Sequence, residues 1–214
     1  MIRFLNSNAA FEYYYHFIQE HGIQIENTRA ILNEGFYIDN PEDNKITSLH
    51  RQWKISYAEK EWNWYLSENP SAKEISKSAP MWKHHMDEVG NVNSNYGYQW
   101  SRGRQIDYVV RELKRNPESR RALLTMYDGK ENSIYTKDSP CTLNVGFSIA
   151  NEKLNMNVMM RSNDLWFGFC NDQYCFSKLQ QLVAERLSLK TGWYYHFSNN
   201  LHLYENQFSK HSIK

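Results

Sequence analysis

Three cysteines in 214 residues are too few for a disulfide framework, and none falls at the Cys-x-x-Cys spacing of a zinc site. An odd set of thiols is expected to stay reduced, which suits a cytoplasmic protein. No stretch approaches the ~20 apolar residues that a membrane span requires. The opening Met-Ile-Arg-Phe-Leu-Asn has neither the apolar run nor the cleavage site of a secretory leader. An excess of one charge is also missing. The 25 Lys and Arg set against 24 Asp and Glu leave a formal charge of +1, too little to attract a nucleic-acid polymer. A mononucleotide needs only a local group of arginines, which bulk charge does not exclude. Repeats, low-complexity tracts and interdomain linkers are absent, so one domain over 1–214 is expected.

What is present is apolar and aromatic. Hydrophobic residues make up 41% of the chain, enough for a real core. Aromatics reach 15%, with 15 tyrosines and 7 tryptophans. Core packing explains them first, although such residues also line clefts for flat rings.

Periodicity predicts a helix over 10–21, with Phe11, Tyr14, Tyr15 and Ile18 on one face and Gly22 placed to end it. Further helices are expected over 57–67, 80–89, 106–114 and 176–189. Extended segments are expected over 29–38, 122–127 and 193–204. The runs 141–150 and 153–160 flank Asn151-Glu152, which reads as a tight hairpin turn. Strands and helices mix without βαβ regularity. The expected class is therefore α+β, with helices packed on a mixed, largely antiparallel sheet.

Cys141 follows Pro140 at the start of a strand, and Arg120, Arg121 and Arg161 occur nearby in sequence. A thiol needs a positive surrounding to ionise and a neighbouring acid or base to act. From spacing alone Cys141 is either a nucleophile or a buried structural cysteine, and Cys170 and Cys175 read as structural. The Arg120-Arg121 pair suits a bidentate grip on phosphate, or a solvated helix end. On its own Glu61 reads as an exposed helix residue, His202 as a satisfied strand residue and Tyr96 as a core aromatic.

The order and spacing of Pro140-Cys141, Arg161-Ser162-Asn163-Asp164, Gly168-Phe-Cys-Asn-Asp172 and Leu201-His-Leu-Tyr204 resemble the thymidylate synthase superfamily. The likeness covers most of the chain. Glu61-Trp-Asn-Trp64-Tyr65 resembles the family helix whose glutamate organises proton transfers. Trp82 falls where the family keeps a tryptophan against the folate. Asn93-Ser-Asn-Tyr96-Gly97 with Gln99-Trp100 resembles the Tyr-Gly-x-Gln-Trp loop. Asn116-Pro-Glu-Ser-Arg120-Arg121 resembles the paired arginines that reach across a homodimer to the partner's nucleotide phosphate.

The resemblance implies that Cys141 adds to carbon 6 of a pyrimidine nucleotide, making carbon 5 nucleophilic toward the methylene group of 5,10-methylenetetrahydrofolate. It implies catalytic roles for Glu61, Tyr96 and Asp172 as well. Arg161, Ser162, Asp164 and Gly168 would hold phosphate and pyrimidine, and His202 and Tyr204 the sugar hydroxyl. Trp82 and Asp164 would meet the folate. Arg29, in a shortened N-terminal loop, is expected on the phosphate.

Thymidylate synthases carry asparagine eleven residues after the arginine of Arg-Ser-x-Asp; here that count from Arg161 reaches Asp172. This departure resembles the phage deoxycytidylate hydroxymethylase branch. A carboxyl can accept from cytosine's amino group and, when protonated, donate to its ring nitrogen, the reverse of what uracil presents. A register shifted by one would place Asn171 at the base and favour uracil. Asp172 also suits an N-cap ahead of a helix over 174–189. The sequence stops at Lys214, ten residues past Tyr204, whereas synthases run further to a tail that closes over the folate. A wetter site and water addition, giving hydroxymethyl rather than methyl, are therefore expected. The leading expectation is a homodimeric dCMP 5-hydroxymethylase without a metal. A dCMP methylase, a dUMP-using synthase, a CMP enzyme and a folate-free nucleotide-binding protein stay open. A thiol redox protein would need a resolving cysteine at close spacing.

Overall fold

In the computed structural model, which describes residues 1–132 and 137–208, the chain builds an eight-stranded sheet with helices against one face. It runs β1 (Ile2–Phe4), α1 (Ser7–His21), β2 (Ile23–Ile25), β3 (Thr28–Ile38), α2 (Ile55–Leu66), α3 (Trp82–His85), α4 (Tyr96–Ser101) and α5 (Gln105–Arg115). Then follow β4 (Leu123–Thr125), α6 (Gly129–Asn132), β5 (Thr142–Ala150), β6 (Lys153–Met160), β7 (Asn163–Asp164), α7 (Cys170–Leu187) and β8 (Lys190–Tyr204). A π turn at Leu165–Phe169 leads into α7.

The strand order is β1-β3-β8-β6-β5-β4, with β2 on β3 and β7 on β8. Pairings β2–β3, β3–β8, β4–β5 and β5–β6 are antiparallel, while β1–β3, β6–β8 and β7–β8 are parallel. This is the α+β class that the mixed pattern predicts. In β8 the alternation is strict at first: Tyr194, His196 and Ser198 are buried, and Trp193, Tyr195 and Phe197 are half-exposed on the opposite face. The core lies between the inner face and the helices. Phe11, Tyr14 and Ile18 of α1 meet Phe36 and Ile38 of β3, Met156 and Val158 of β6, and Phe176, Leu179 and Val183 of α7 there.

Several element ends differ from expectation for local reasons. Helix α1 starts at Ser7 because the Asn6 side chain caps it, accepting from the Ala9 N–H at 2.9 Å. Gly22 closes it in an extended rather than a left-handed conformation. The helix expected over 80–89 is reduced to Trp82–His85, because Asp87 Oδ1 accepts from Val89 and Asn91 N–H and turns the chain. The Asn151-Glu152 turn forms with both residues at positive φ, 52° and 58°. Helix α7 begins at Cys170, earlier than expected, and this corrects the capping role of Asp172. Asp164 caps the π turn that leads into α7, its carboxylate accepting from Trp166 and Phe167 N–H; α7 itself starts after Phe169 with no side-chain cap, and Asp172 sits inside its first turn. The C-terminal end, on which the expectation of a missing lid rests, lies outside the described residues.

Candidate active site

Strand pairing brings the sequence-distant motifs together. Thr142 at the start of β5 pairs with Met160 at the end of β6, so Cys141 and Arg161 emerge side by side. The Arg161 N–H donates to the Cys141 carbonyl at 2.8 Å. The Arg161 guanidinium grips the approach to the cysteine, donating from Nε to the Pro140 carbonyl at 3.0 Å and from Nη2 to the Ser139 carbonyl at 2.8 Å. Pairing of β7 with β8 sets Asp164 opposite His202. Asp138 then ties in the loop ahead of α4: its carboxylate accepts from the Ser94 N–H and hydroxyl, each at 2.7 Å. Asn95 caps α4 by accepting from the Tyr98 N–H and donates to the carbonyls of Trp64 and Asn69. The Asn93–Tyr96 motif is thus the clamp that seats Tyr96.

These residues surround a cavity of about 850 Å³. Its lining includes Glu61, Trp82, Tyr96, Cys141, Arg161, Ser162, Asp164, Gly168, Asp172, His202 and Tyr204. Three expected site residues stand outside it. Arg29 donates to the Gln19 carbonyl and lies over the Phe208 ring. Arg120 and Arg121 are exposed on the segment between α5 and β4, away from this chain's own cavity.

The thymidylate synthase family model matches residues 25–214. The thymidylate synthase of Bacillus licheniformis is 27% identical over 199 residues, covering 88% of this chain and 70% of that protein. The deoxycytidylate 5-hydroxymethyltransferase of Enterobacteria phage T4 is 34% identical over 197 residues, covering 85% of this chain and 77% of that protein. The chain belongs to the thymidylate synthase family. Members are one-carbon transferases that act on a nucleotide with methylenetetrahydrofolate as co-substrate.

Electrostatics in this thymidylate synthase-like cavity are set by burial. Burial first, and the charge of Asp172 second, push Glu61 up to about 8. Burial likewise pushes Asp172 up to about 7, although the hydrogen bond from Asn163 pulls it down. Cys141 is pushed up to about 11 by burial; Arg161 opposes that, while Asp172 and Asp138 add to it. The thiol is therefore protonated at neutral pH, and its activation requires a base and the neighbouring guanidinium. Glu61 connects to the tryptophan wall. Trp82 Nε1 donates to the Tyr57 hydroxyl at 2.9 Å, and that hydroxyl donates to Glu61 Oε1 at 3.3 Å. His202 Nδ1 donates to Asn200 Oδ1 at 2.9 Å, which orients the ring.

Sequence reasoning missed four contributors. Arg51 lines the cavity from a loop, donates to the Trp166 carbonyl at 2.7 Å and offsets the charge of Asp164. Nothing in its local pattern marks it. Tyr57 and Trp53 also line the cavity, and Trp53 Nε1 donates to Asn171 Oδ1 at 2.8 Å. Asn163, the unassigned position of Arg-Ser-x-Asp, is buried and donates to Asp172 Oδ2 at 2.8 Å. One cluster with metal-ligand chemistry occurs among the described residues, Glu12, His16 and His50, and it lies outside this cavity. No helix among them is long and apolar enough to cross a membrane.

Proposed function

We propose that this protein is a homodimeric dCMP 5-hydroxymethylase that uses 5,10-methylenetetrahydrofolate. The observation that carries the base choice is the carboxyl at Asp172. Its neighbour Asn171, the residue that would favour uracil, also lines the cavity, but its amide is engaged at both ends: Oδ1 accepts from Trp53 Nε1 and Nδ2 donates to the Phe167 carbonyl. Asp172 lines the cavity with its pKa raised to about 7. It therefore retains a proton over part of the neutral range, and offers both a donor and an acceptor to cytosine's edge. The likeness to the phage T4 deoxycytidylate 5-hydroxymethyltransferase supports the same assignment.

In this reading the Cys141 Sγ forms the bond to carbon 6, with Arg161 beside it to favour the thiolate. Glu61, kept near neutrality by burial, moves protons and is held by Tyr57. Tyr96 packs beside Asp172 and Cys141 and orders the proton transfers around carbon 5. Arg161 and Ser162 face the phosphate, Asp164 and Gly168 frame the pyrimidine, and His202 Nε2 with the Tyr204 hydroxyl receive the sugar hydroxyl. A Cβ on Gly168 would come within 2.9 Å of Asn163 Nδ2, so a side chain there would disturb the Asn163–Asp172 bond. The wall of Ala79, Pro80, Met81 and Trp82 is apolar and suits a flat ring system, and Asp164 lines the same cavity. Methylenetetrahydrofolate, when bound, supplies the one-carbon unit. Loss of tetrahydrofolate and of the carbon-5 proton leaves an exocyclic methylene on the nucleotide; water adds to it as the Cys141–carbon 6 bond breaks, giving 5-hydroxymethyl-dCMP and the free thiolate.

A competition assay with dCMP, dUMP and CMP in one mixture, read by mass spectrometry, tests the proposal. The expected product is hydroxymethylated dCMP, and Asp172→Asn is expected to shift preference toward dUMP by about tenfold or more. A wild-type preference for dUMP, or an unchanged preference in Asp172→Asn, would remove the base assignment. A methyl product would overturn the hydration step alone.

A further inference from the structure

Behind Asp172 runs a chain of buried groups. Asn163 Nδ2 donates to Asp172 Oδ2 at 2.8 Å, Asn163 Oδ1 lies 3.1 Å from His196 Nε2, and His196 Nδ1 lies 2.8 Å from the Tyr194 hydroxyl. All three supporting residues are buried, His196 and Tyr194 completely. Asn163 comes from β7, and the other two from alternate inward positions of β8. None of these three side chains has a role in the chemistry assigned above.

The direction of each bond follows from the ends of the chain. Burial pushes the His196 pKa down to about 3, so the ring is neutral, with one N–H and one bare nitrogen. The Tyr194 hydroxyl has no other hydrogen bond among the described residues, so it donates to Nδ1. Nε2 then carries the hydrogen and donates to Asn163 Oδ1. That fixes the Asn163 amide with its N–H toward Asp172 Oδ2. Reversal would leave a buried tyrosine proton unpaired.

The consequence falls on Asp172. A carboxyl holding one proton can place it on either oxygen, and so can match either base. With the proton facing the ring nitrogen it reads cytosine; with the proton facing the carbon-4 substituent it reads uracil. An oxygen that already accepts a fixed N–H is the poorer seat for that proton, so the proton goes to Oδ1. In a pose with Oδ1 toward the ring nitrogen, Oδ2 keeps a lone pair for an amino group. We propose that Asn163, His196 and Tyr194 form a positioning chain that holds the Asp172 proton on Oδ1 and so makes base choice one-sided. This rests on the reading of Asp172 as the residue that meets the base.

Other groups face Asp172 and share its titration. They are Glu61 and Tyr65 from α2, Tyr96 from α4, Cys141 ahead of β5, Asp164 ahead of the π turn, Tyr194 from β8, and Cys170 and Cys175 on its own helix. Burial and the neighbouring Asp164 raise the Asp172 pKa, so the Asn163 N–H is the interaction that steadies its ionised form.

The test compares wild type, Tyr194→Phe, Asn163→Ala and Asp172→Asn. Binding and kcat/KM are measured for dCMP and dUMP across pH, with thermal melting as a check on folding. Tyr194→Phe keeps the ring and deletes only the directing hydroxyl, so it is expected to lower the dCMP-to-dUMP ratio about tenfold. Asn163→Ala removes the donor that pulls Asp172 down. The carboxyl then holds its proton longer, and the basic limb of the dCMP profile moves to higher pH. A ratio and a profile unchanged in both variants, while Asp172→Asn alters preference, would overturn the chain and leave the reading of Asp172 standing. Equal losses for both nucleotides would also overturn it, since they mark a packing role. An unchanged preference in Asp172→Asn would remove that reading and the chain with it. Should Asn163→Ala fail to fold, Tyr194→Phe decides.

Discussion

Asp172 and Glu61 are held near neutrality inside the fold, at about 7 and about 8, by burial in the first place. In the unfolded chain both carboxyls return to the ordinary range near 4. Between those limits the folded state binds protons that the unfolded state has released. Stability therefore falls as pH rises through that window, and the loss is absent below the unfolded values. Asp172→Asn and Glu61→Gln remove the titration. Each is expected to raise Tm by a few degrees at pH 8 and to leave it nearly unchanged near pH 4. Scanning calorimetry at the two pH values checks this. A Tm shift of equal size at both would assign the effect to packing instead of charge. The same two residues serve the proposed chemistry, so the stabilised variants should be impaired or altered in turnover.

At the scale of elements, the site depends on how closely α4 sits on α2. A Cβ added at Gly97 would stand 1.8 Å from the Tyr65 carbonyl oxygen, so only glycine lets the two backbones meet. That contact sets the Tyr96 and Tyr65 rings 5.5 Å apart and turns Tyr96 into the cavity. Gly97→Ala is expected to destabilise by about 2–4 kcal/mol in urea unfolding and to lower kcat/KM by at least tenfold. Wild-type stability would show that α4 slides freely on α2. The Tyr-Gly motif was legible in sequence, and so were the long periodic elements, because helices such as α5 and hairpins such as β5–β6 repeat their pattern over several turns. Strands β1, β2 and β7 are two or three residues long and carry no period to read. The π turn hid the start of α7. The contact of Asn163 with His196 joins β7 to β8, and only the polar inward positions of β8 hinted at it. Arg29 is expected on the phosphate from a shortened loop with no pattern of its own; in the fold its guanidinium donates to the Gln19 carbonyl.

For the whole molecule, the sheet has two unlike faces. The inner face is closed by helices, whereas the outer one presents half-exposed Tyr37, Trp193, Tyr195 and Phe197, with Tyr37 packed 4.8 Å from Tyr195 and 5.0 Å from Trp193. A row of aromatics on a sheet face suits burial against a second copy. Arg120 and Arg121 are exposed and lie off this chain's own cavity, where a partner's phosphate is within the proposed reach. If each site takes its cysteine from one subunit and its arginines from the other, two dead variants contain between them every part of a working site. Cys141→Ala lacks the nucleophile and Arg120→Ala/Arg121→Ala lacks the phosphate grip. Random mixing makes half of the dimers mixed, and each mixed dimer restores one of its two sites. Activity is then expected to return to about a quarter of wild type. Tagged subunits purified in tandem verify that mixed dimers have formed. Activity in those dimers, absent from either parent, places the arginines across the interface. Silence in verified mixed dimers would confine each site to one chain and leave the two arginines as a solvated turn after α5.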